Sequence, residues 1–144
     1  MDKQKMIECV RAFNRFYVVE LKFMEHNYLG TGFSVAQMRT LYEIHTQKGI
    51  TAGDICATLK LDKGYVSRMI KGFEKDGLVT RQVSDEDNRA FCLFLTAEGE
   101  KQLQDLIKIA GDDIAGTMET ISQQDRDEIC AAMQLIMDKF SKYK

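Results

Sequence analysis

Apolar residues recur at every third or fourth position near the start of the chain, beginning at Met6 and ending at Tyr28. This spacing gathers them on one face of a helix. We therefore predict one long amphipathic helix from Lys3 to about Leu29. Its apolar positions are Met6, Val10, Phe13, Tyr17, Leu21, Met24 and Tyr28.

Helix start signals follow at three places. Ser34 with Gln37, and Thr51 with Asp54, form capping boxes, in which the side chains satisfy backbone N–H groups of the first turn. Asp62 is a third N-cap candidate. These signals predict helices over 34–46, 51–58 and 62–77. The last two are separated by a tight turn, which is typical of a helix-turn-helix unit.

The pattern changes after Gly77 to β-prone runs over 78–83 and 90–95, separated by a polar segment, 84–89. Such runs predict a hairpin with an extended loop. N-cap candidates at Thr96 and Ser122 then predict helices over 97–119 and about 122–142. The order indicates a mainly α fold with a small β-hairpin. We predict a single domain over 1–144, with a winged helix-turn-helix over about 34–99 and flanking dimerisation helices over about 3–30 and 97–142.

The dimer prediction comes from the flanking helices. Each carries an apolar stripe, and a domain of this size has too few other residues to bury all of these stripes. We therefore expect a second copy of the chain to bury them in a dimer interface. The alternative is that the stripes simply close the core of the monomer, since amphipathicity shows only that a face is buried.

Composition narrows the function classes. The 144 residues are 44% hydrophobic and 29% charged, as in an ordinary soluble protein. No apolar run approaches the roughly 20 residues that cross a bilayer, and the N-terminus lacks the apolar region of a secretory signal. The four cysteines lie tens of residues apart, in neither a disulfide framework nor a zinc ribbon. We expect a cytoplasmic protein with reduced thiols, no cofactor and no membrane partner.

A formal net charge of -2 disfavours nucleic-acid binding unless one face is positive. The predicted helix over 62–76 has such a face: Gly64, Arg68, Lys71 and Lys75 lie opposite its apolar side, with Ser67 at the edge. Long cations and short polar groups suit the major groove, where Arg binds guanine bidentately. For an isolated helix, a solvated basic face is the alternative.

The hairpin after this helix favours DNA binding, because a winged helix uses its hairpin loop to contact the neighbouring groove. The loop contains Asp87 and Arg89. An arginine at the tip fits a narrow minor groove, and Asp87 is placed to orient its guanidinium by a charge-assisted hydrogen bond. Arg81 on the first strand is a further candidate for a phosphate contact.

The segments that carry these features are SVAQ (34–37), TAGDICA (51–57), LDKGYVSR (61–68), FEKDGLV (73–79), Arg81, DNR (87–89) and LTAEG (95–99). In this order they resemble the MarR (multiple antibiotic resistance regulator) family of winged-helix transcription factors. The resemblance implies a homodimer that binds a pseudo-palindromic, double-stranded operator and usually represses transcription until a ligand or oxidant releases it. The family's DNA contacts carry over to Lys63, Gly64, Ser67, Arg68 and Lys71 on the helix, and to Asp87 and Arg89 in the loop.

Two departures from the family pattern bear on sequence preference and local packing. Gly64 stands where serine is common, and Phe73 stands where leucine is usual.

The resemblance also implies a small-molecule pocket between the dimer helices and the winged domain. Its candidate lining is Phe13, Phe16, Tyr17, Met38 and Tyr42, for which burial in a core is the alternative.

Other inputs and activities have weaker support. Cys9 is a candidate redox sensor near the start of the first helix, although the residues around it do not reproduce the motif of redox-sensing relatives. His26 and His45 lack metal-ligand spacing, so we expect no metal site. Nothing sets apart a nucleophile, a base or a nucleotide-binding loop, so we expect no enzyme. A winged-helix protein-interaction module without DNA binding remains an alternative.

Overall fold

The computed structural model describes residues 1–20, 27–84 and 90–144. Within these ranges the elements follow the predicted order, and the predicted class, mainly α with a small β-hairpin, is confirmed. The elements are α1 (Lys3–Glu20), a short 3-10 helix (Tyr28–Gly30), α2 (Val35–Thr46), α3 (Ala52–Leu59), α4 (Lys63–Lys75), β1 (Val79–Val83), β2 (Phe91–Leu95), α5 (Ala97–Glu119) and α6 (Gln123–Ser141).

The chain divides into two compact units, Met1–Leu106 and Ile107–Lys144. The apolar core lies in the first unit, where α2, α3, α4, the hairpin and the first turns of α5 contribute buried side chains. Its fully buried apolar members are Leu41, Ile44, Ile55, Val66, Leu93 and Leu103. This core is the platform that holds α4 and the hairpin. That residues 1–144 form one domain stays a prediction.

The helix starts lie where the capping signals predict them. Ser34, Thr51 and Asp62 each accept a hydrogen bond from the backbone N–H three residues later, at 3.1, 3.2 and 3.1 Å. Between α3 and α4, Lys60 takes the left-handed conformation with φ +52°, which ends α3 and turns the chain within two residues of the next cap. Local hydrogen bonds therefore fix where α4 begins.

The first helix differs from its prediction. The prediction extended it to about Leu29, but Tyr28–Gly30 form a 3-10 helix in which Leu29 has φ +52°, so an α-helix does not continue through these residues. Tyr28 is buried, and its backbone N–H donates to the carbonyl of Phe33 at 2.8 Å. Tyr28 fits the apolar period because it is buried, but it lies in a 3-10 helix and not on a continuing α-helix.

The hairpin is attached to the core at its base. Its strands are antiparallel, with Val79 opposite Leu95 and Arg81 opposite Leu93. Leu93 also exchanges backbone hydrogen bonds with residues 49 and 50, at 3.2 and 2.9 Å. Val79 and Leu93 are buried, whereas the rows nearest the loop are exposed or half-exposed. The hairpin thus projects from the core, anchored at one end.

Many apolar side chains of α1, of α6 and of the part of α5 beyond Leu106 are exposed. No residue of α1 or α6 is buried. The exposed apolar residues are Met6, Val10, Phe13, Phe16 and Val19 on α1, and Ile107, Ile109, Ile114, Met133, Leu135, Ile136, Met137, Phe140 and Tyr143 in the second unit. Among the described helices, none has the length and hydropathy needed to cross a membrane.

Candidate nucleic-acid interface

Helix α4 has one buried face and one exposed, cationic face. Its buried residues are Val66, Met69, Ile70 and Phe73. Of the five helix positions predicted to contact DNA, Gly64 is half-buried and four are exposed: Lys63, Ser67, Arg68 and Lys71. Because the core holds one side of α4, the other side presents these groups outward from a rigid element.

Gly64 leaves room for two charged side chains. A Cβ added there would lie 3.2 Å from Arg68 Nη1 and 3.2 Å from Asp62 Oδ2, closer than ordinary van der Waals contact. Asp62 is also the N-cap of α4 and accepts from the Tyr65 backbone N–H. The missing side chain at position 64 therefore lets the Arg68 guanidinium lie back along the first turn of the helix.

Arg81, the predicted strand contact, is bound to a carboxylate on α4. Its Nε donates to Glu74 Oε1 at 2.7 Å, and Nη2 donates to the same oxygen. Its guanidinium carbon also lies 5.0 Å from the centre of the Phe91 ring on β2. This role of Glu74 is not visible in the sequence, because no spacing rule links the end of a helix to a strand beyond a turn.

A cleft of about 350 Å³ separates α4 from the hairpin. Lys63, Ser67 and Arg81 line it, together with the start of α3 and residues of β2. Three predicted contacts thus line one cleft. The ammonium of Lys63 and the hydroxyl of Ser67 suit an anionic oxygen such as that of a phosphate, whereas the guanidinium of Arg81 is bound to Glu74.

The two loop candidates, Asp87 and Arg89, lie outside the described residues. Next to them, the Ser84 backbone N–H donates to the Ala90 carbonyl at 2.9 Å, so the strands stay paired up to the edges of this segment. The roles of both loop residues stay predictions.

The candidates for an effector pocket occur in two places. On α1, the rings of Phe13 and Tyr17 stack with centroids 5.4 Å apart, and Phe16 is 61% exposed. On α2, Met38 packs against the core cluster, whereas Tyr42 is 48% exposed. The pocket stays a prediction for all five residues.

The other candidate sensors are separate from α4. Cys9 is exposed on α1. His45 Nδ1 lies 2.7 Å from Glu100 Oε2, which links the end of α2 to the start of α5, while His26 lies outside the described residues. In the three described ranges, no three His, Cys, Asp or Glu side chains cluster as they would around a metal ion.

The sequence matches known proteins over the region that contains this interface. The model of the MarR family matches residues 31–90. The transcriptional repressor YetL of Bacillus subtilis is 24% identical over 84% of this chain and 74% of its own length. The organic hydroperoxide resistance transcriptional regulator of the same species is 37% identical, but over 49% of this chain and 45% of its own length.

The fold matches solved structures over nearly the whole chain. The transcriptional repressor CouR, solved with a 23-mer DNA duplex, superposes with a TM-score of 0.76 over 95% of this chain and 98% of its own, at 21% identity. At this identity the likeness establishes the fold, including the order along the chain of the helices that precede and follow the winged helix.

Proposed function

We propose that this chain is a member of the MarR family, whose model matches its winged-helix segment, residues 31–90, and that it is a homodimeric transcriptional regulator that binds double-stranded DNA. The observation that carries this proposal is the exposed face of α4. Arg68 and Lys71 project from the side opposite the buried face, and Lys63 is exposed in the first turn, on a helix that is capped and packed against the core. This is the geometry of a recognition helix in the major groove.

Each predicted contact has a role in this proposal. Arg68 reads a base edge, with guanine as its best partner, and Ser67 contacts a base edge or a phosphate. Lys63 and Lys71 bind phosphates, and Gly64 allows close approach of the backbone. In the loop, Arg89 enters the minor groove and Asp87 orients it. Arg81 differs from these residues because its guanidinium is already bound to Glu74.

The uncovered apolar residues support the homodimer. A helix with no buried residue and an apolar stripe, such as α1 or α6, leaves its hydrophobic burial incomplete. A second copy brings the same stripes and covers both by two-fold symmetry. Each recognition helix then reads one half-site, and the two half-sites lie about one helical turn, roughly 10 base pairs, apart.

The regulatory mode follows the relatives. YetL is a repressor, which favours repression here. Release would follow from a small ligand bound near the predicted pocket residues, Phe13, Phe16, Tyr17, Met38 and Tyr42. The protein acts in the cytoplasm by binding and without catalysis. Oxidation of Cys9 is the second candidate input: this thiol is exposed, and a relative regulates organic hydroperoxide resistance.

Selection from a pool of random DNA duplexes tests the proposal. The purified full chain is incubated with the pool at about physiological salt, and bound duplexes are sequenced; Arg68→Ala is the control. An enriched inverted repeat that the control does not enrich supports sequence-specific binding by a dimer. If the wild type enriches nothing, the proposal fails for the ligand-free protein, and a protein-interaction role replaces it.

The salt dependence of binding separates the two functions. DNA binding releases counterions, so the logarithm of the affinity falls linearly with the logarithm of the salt concentration. The slope is about −0.9 for each neutralised phosphate. An apolar protein contact lacks this dependence. A steep slope with duplex DNA therefore supports the regulator and opposes the interaction module.

A further inference from the structure

Resting on the proposed function, we infer that Glu74 is a positioning residue that holds the hairpin against the recognition helix through Arg81. Arg81 serves this attachment and not a DNA phosphate. The two carboxylate-bound nitrogens of Arg81 and the ring of Phe91 connect α4, β1 and β2 at one point.

The outer half of the hairpin needs such an attachment. Beyond the row that pairs Arg81 with Leu93, the described rows pair Gln82 with Cys92 and Val83 with Phe91. Neither row contains a buried residue, and Val83 and Phe91 are 54% and 42% exposed. The core therefore fixes only the base of the hairpin, whereas the loop that would reach DNA lies beyond these exposed rows.

The position of Arg81 on β1 directs its side chain toward α4. Side chains alternate along a strand, so Arg81 shares a face with Val79, which is buried in the core. Its cross-strand partner Leu93 is buried too, and Phe91 is the diagonal neighbour on that face. The guanidinium thus lies on the side of the hairpin that faces the helix, in the cleft between them.

The placement of Glu74 on α4 is otherwise unfavourable. It lies in the last turn of the helix, where the macrodipole disfavours a carboxylate, and a negative charge on a recognition helix repels DNA phosphates. Its pairing with Arg81 offsets both effects. Glu74 and Arg81 retain 29% and 35% exposure of their side chains, so solvent screens the pair, and its effect is on geometry more than on stability.

Positioning and simple electrostatics predict opposite effects for Glu74→Gln. If only charge mattered, removal of a carboxylate near DNA would strengthen binding. If Glu74 positions the hairpin, the variant binds the duplex enriched by the wild type about two- to fivefold more weakly, as expected for the loss of an exposed ion pair. Asp76→Asn is the matched control, because Asp76 is the exposed residue that follows α4. It removes the same charge and should leave the affinity unchanged or slightly higher.

Arg81 variants complete the test. Arg81→Gln should weaken binding as much as Glu74→Gln, the double variant should be no weaker than either single one, and Arg81→Lys should retain part of the affinity. The slope of affinity against salt should equal that of the wild type for all three. A slope shallower by about 0.9 for Arg81→Gln would identify a phosphate contact and overturn the inference. Tighter binding by Glu74→Gln would also overturn it.

Hydrogen exchange tests the attachment without DNA. The peptide that contains residues 79–84 should exchange several-fold faster in Glu74→Gln than in the wild type or in Asp76→Asn, because the outer hairpin opens more often. Equal exchange in the three proteins contradicts the inference. If the wild type binds no duplex but exchange still differs, the proposed DNA-binding function has failed while the attachment of the hairpin stands.

Discussion

Gly99, in the first turn of α5, lies against the backbone of Leu78: a Cβ added at Gly99 would overlap the Leu78 carbonyl oxygen. The same oxygen accepts the Thr96 backbone N–H at 3.0 Å, and the Thr96 hydroxyl donates to the Gly77 carbonyl at 2.6 Å. The turn that follows the recognition helix is therefore held directly against the start of α5. No side chain fits between them.

We expect Gly99→Ala to lower the free energy of unfolding by about 1 to 3 kcal/mol, because the contact is with backbone and requires the helix to shift. Denaturant unfolding measures this change. Gly72→Ala is the control: it lies in α4 with open space around the added Cβ, and it should raise stability by about 0.5 to 1 kcal/mol through helix propensity. Equal stability changes in the two variants would show that the close approach is absent.

A charge on the apolar stripe of α6 should dissociate the dimer. Ile136 is 40% exposed and shares a stripe with Met133 and Phe140. Glutamate there would bury an unpaired carboxylate in the interface, and we expect Ile136→Glu to weaken dimerisation at least about tenfold. Sedimentation velocity over a concentration series measures it. Ala131→Glu, on the opposite side of the helix, should remain dimeric, and a dimeric Ile136→Glu would remove this stripe from the interface.

Arg68→Ala should relax base preference. As a bidentate partner of guanine, Arg68 would contribute about 1 to 3 kcal/mol of discrimination at one position of each half-site. Binding to duplexes that differ only at that base pair measures the effect, and Lys71→Ala is the comparison, since loss of a phosphate contact weakens all duplexes alike. Unchanged selectivity in Arg68→Ala would assign Arg68 to the phosphates.

Arg89→Ala tests the hairpin loop, for which the expectation rests on the sequence. We expect operator binding to weaken by about 1 to 3 kcal/mol, with dimerisation unchanged. Fluorescence anisotropy with the enriched duplex gives the affinity, and sedimentation gives the oligomeric state. If the affinity is that of the wild type, the loop arginine has no part in binding.

Local signals predicted the elements of the fold well. Ser34, Thr51 and Asp62 each cap the helix that they were expected to begin, since a capping side chain bonds to its own first turn and needs no distant partner. The end of the first helix was less predictable. The apolar period includes the buried Tyr28, but it does not encode the 3-10 helix there or the positive φ of Leu29.

The part of the candidate interface that lies on α4 was predictable from the sequence, because the positions along one helix follow from its period. Helical geometry places Ser67, Arg68 and Lys71 on the exposed side of α4, whereas Lys63, which is also exposed, was expected from the family resemblance alone. The pair between Glu74 and Arg81 joins two elements across a turn, so neither helical nor strand periodicity indicates it. The partner of the flanking apolar stripes is likewise a property of the assembly and not of local sequence.

The central claim is that two recognition helices of one dimer read two half-sites. The most direct measurement compares the affinity of the wild type for the enriched inverted repeat with that for a duplex of equal length in which one half-site is scrambled. Loss of the specific contacts in one half-site should weaken binding at least about tenfold, since each mismatched base pair typically costs about 1 to 3 kcal/mol. Equal affinities for the two duplexes would contradict sequence-specific binding by a dimer.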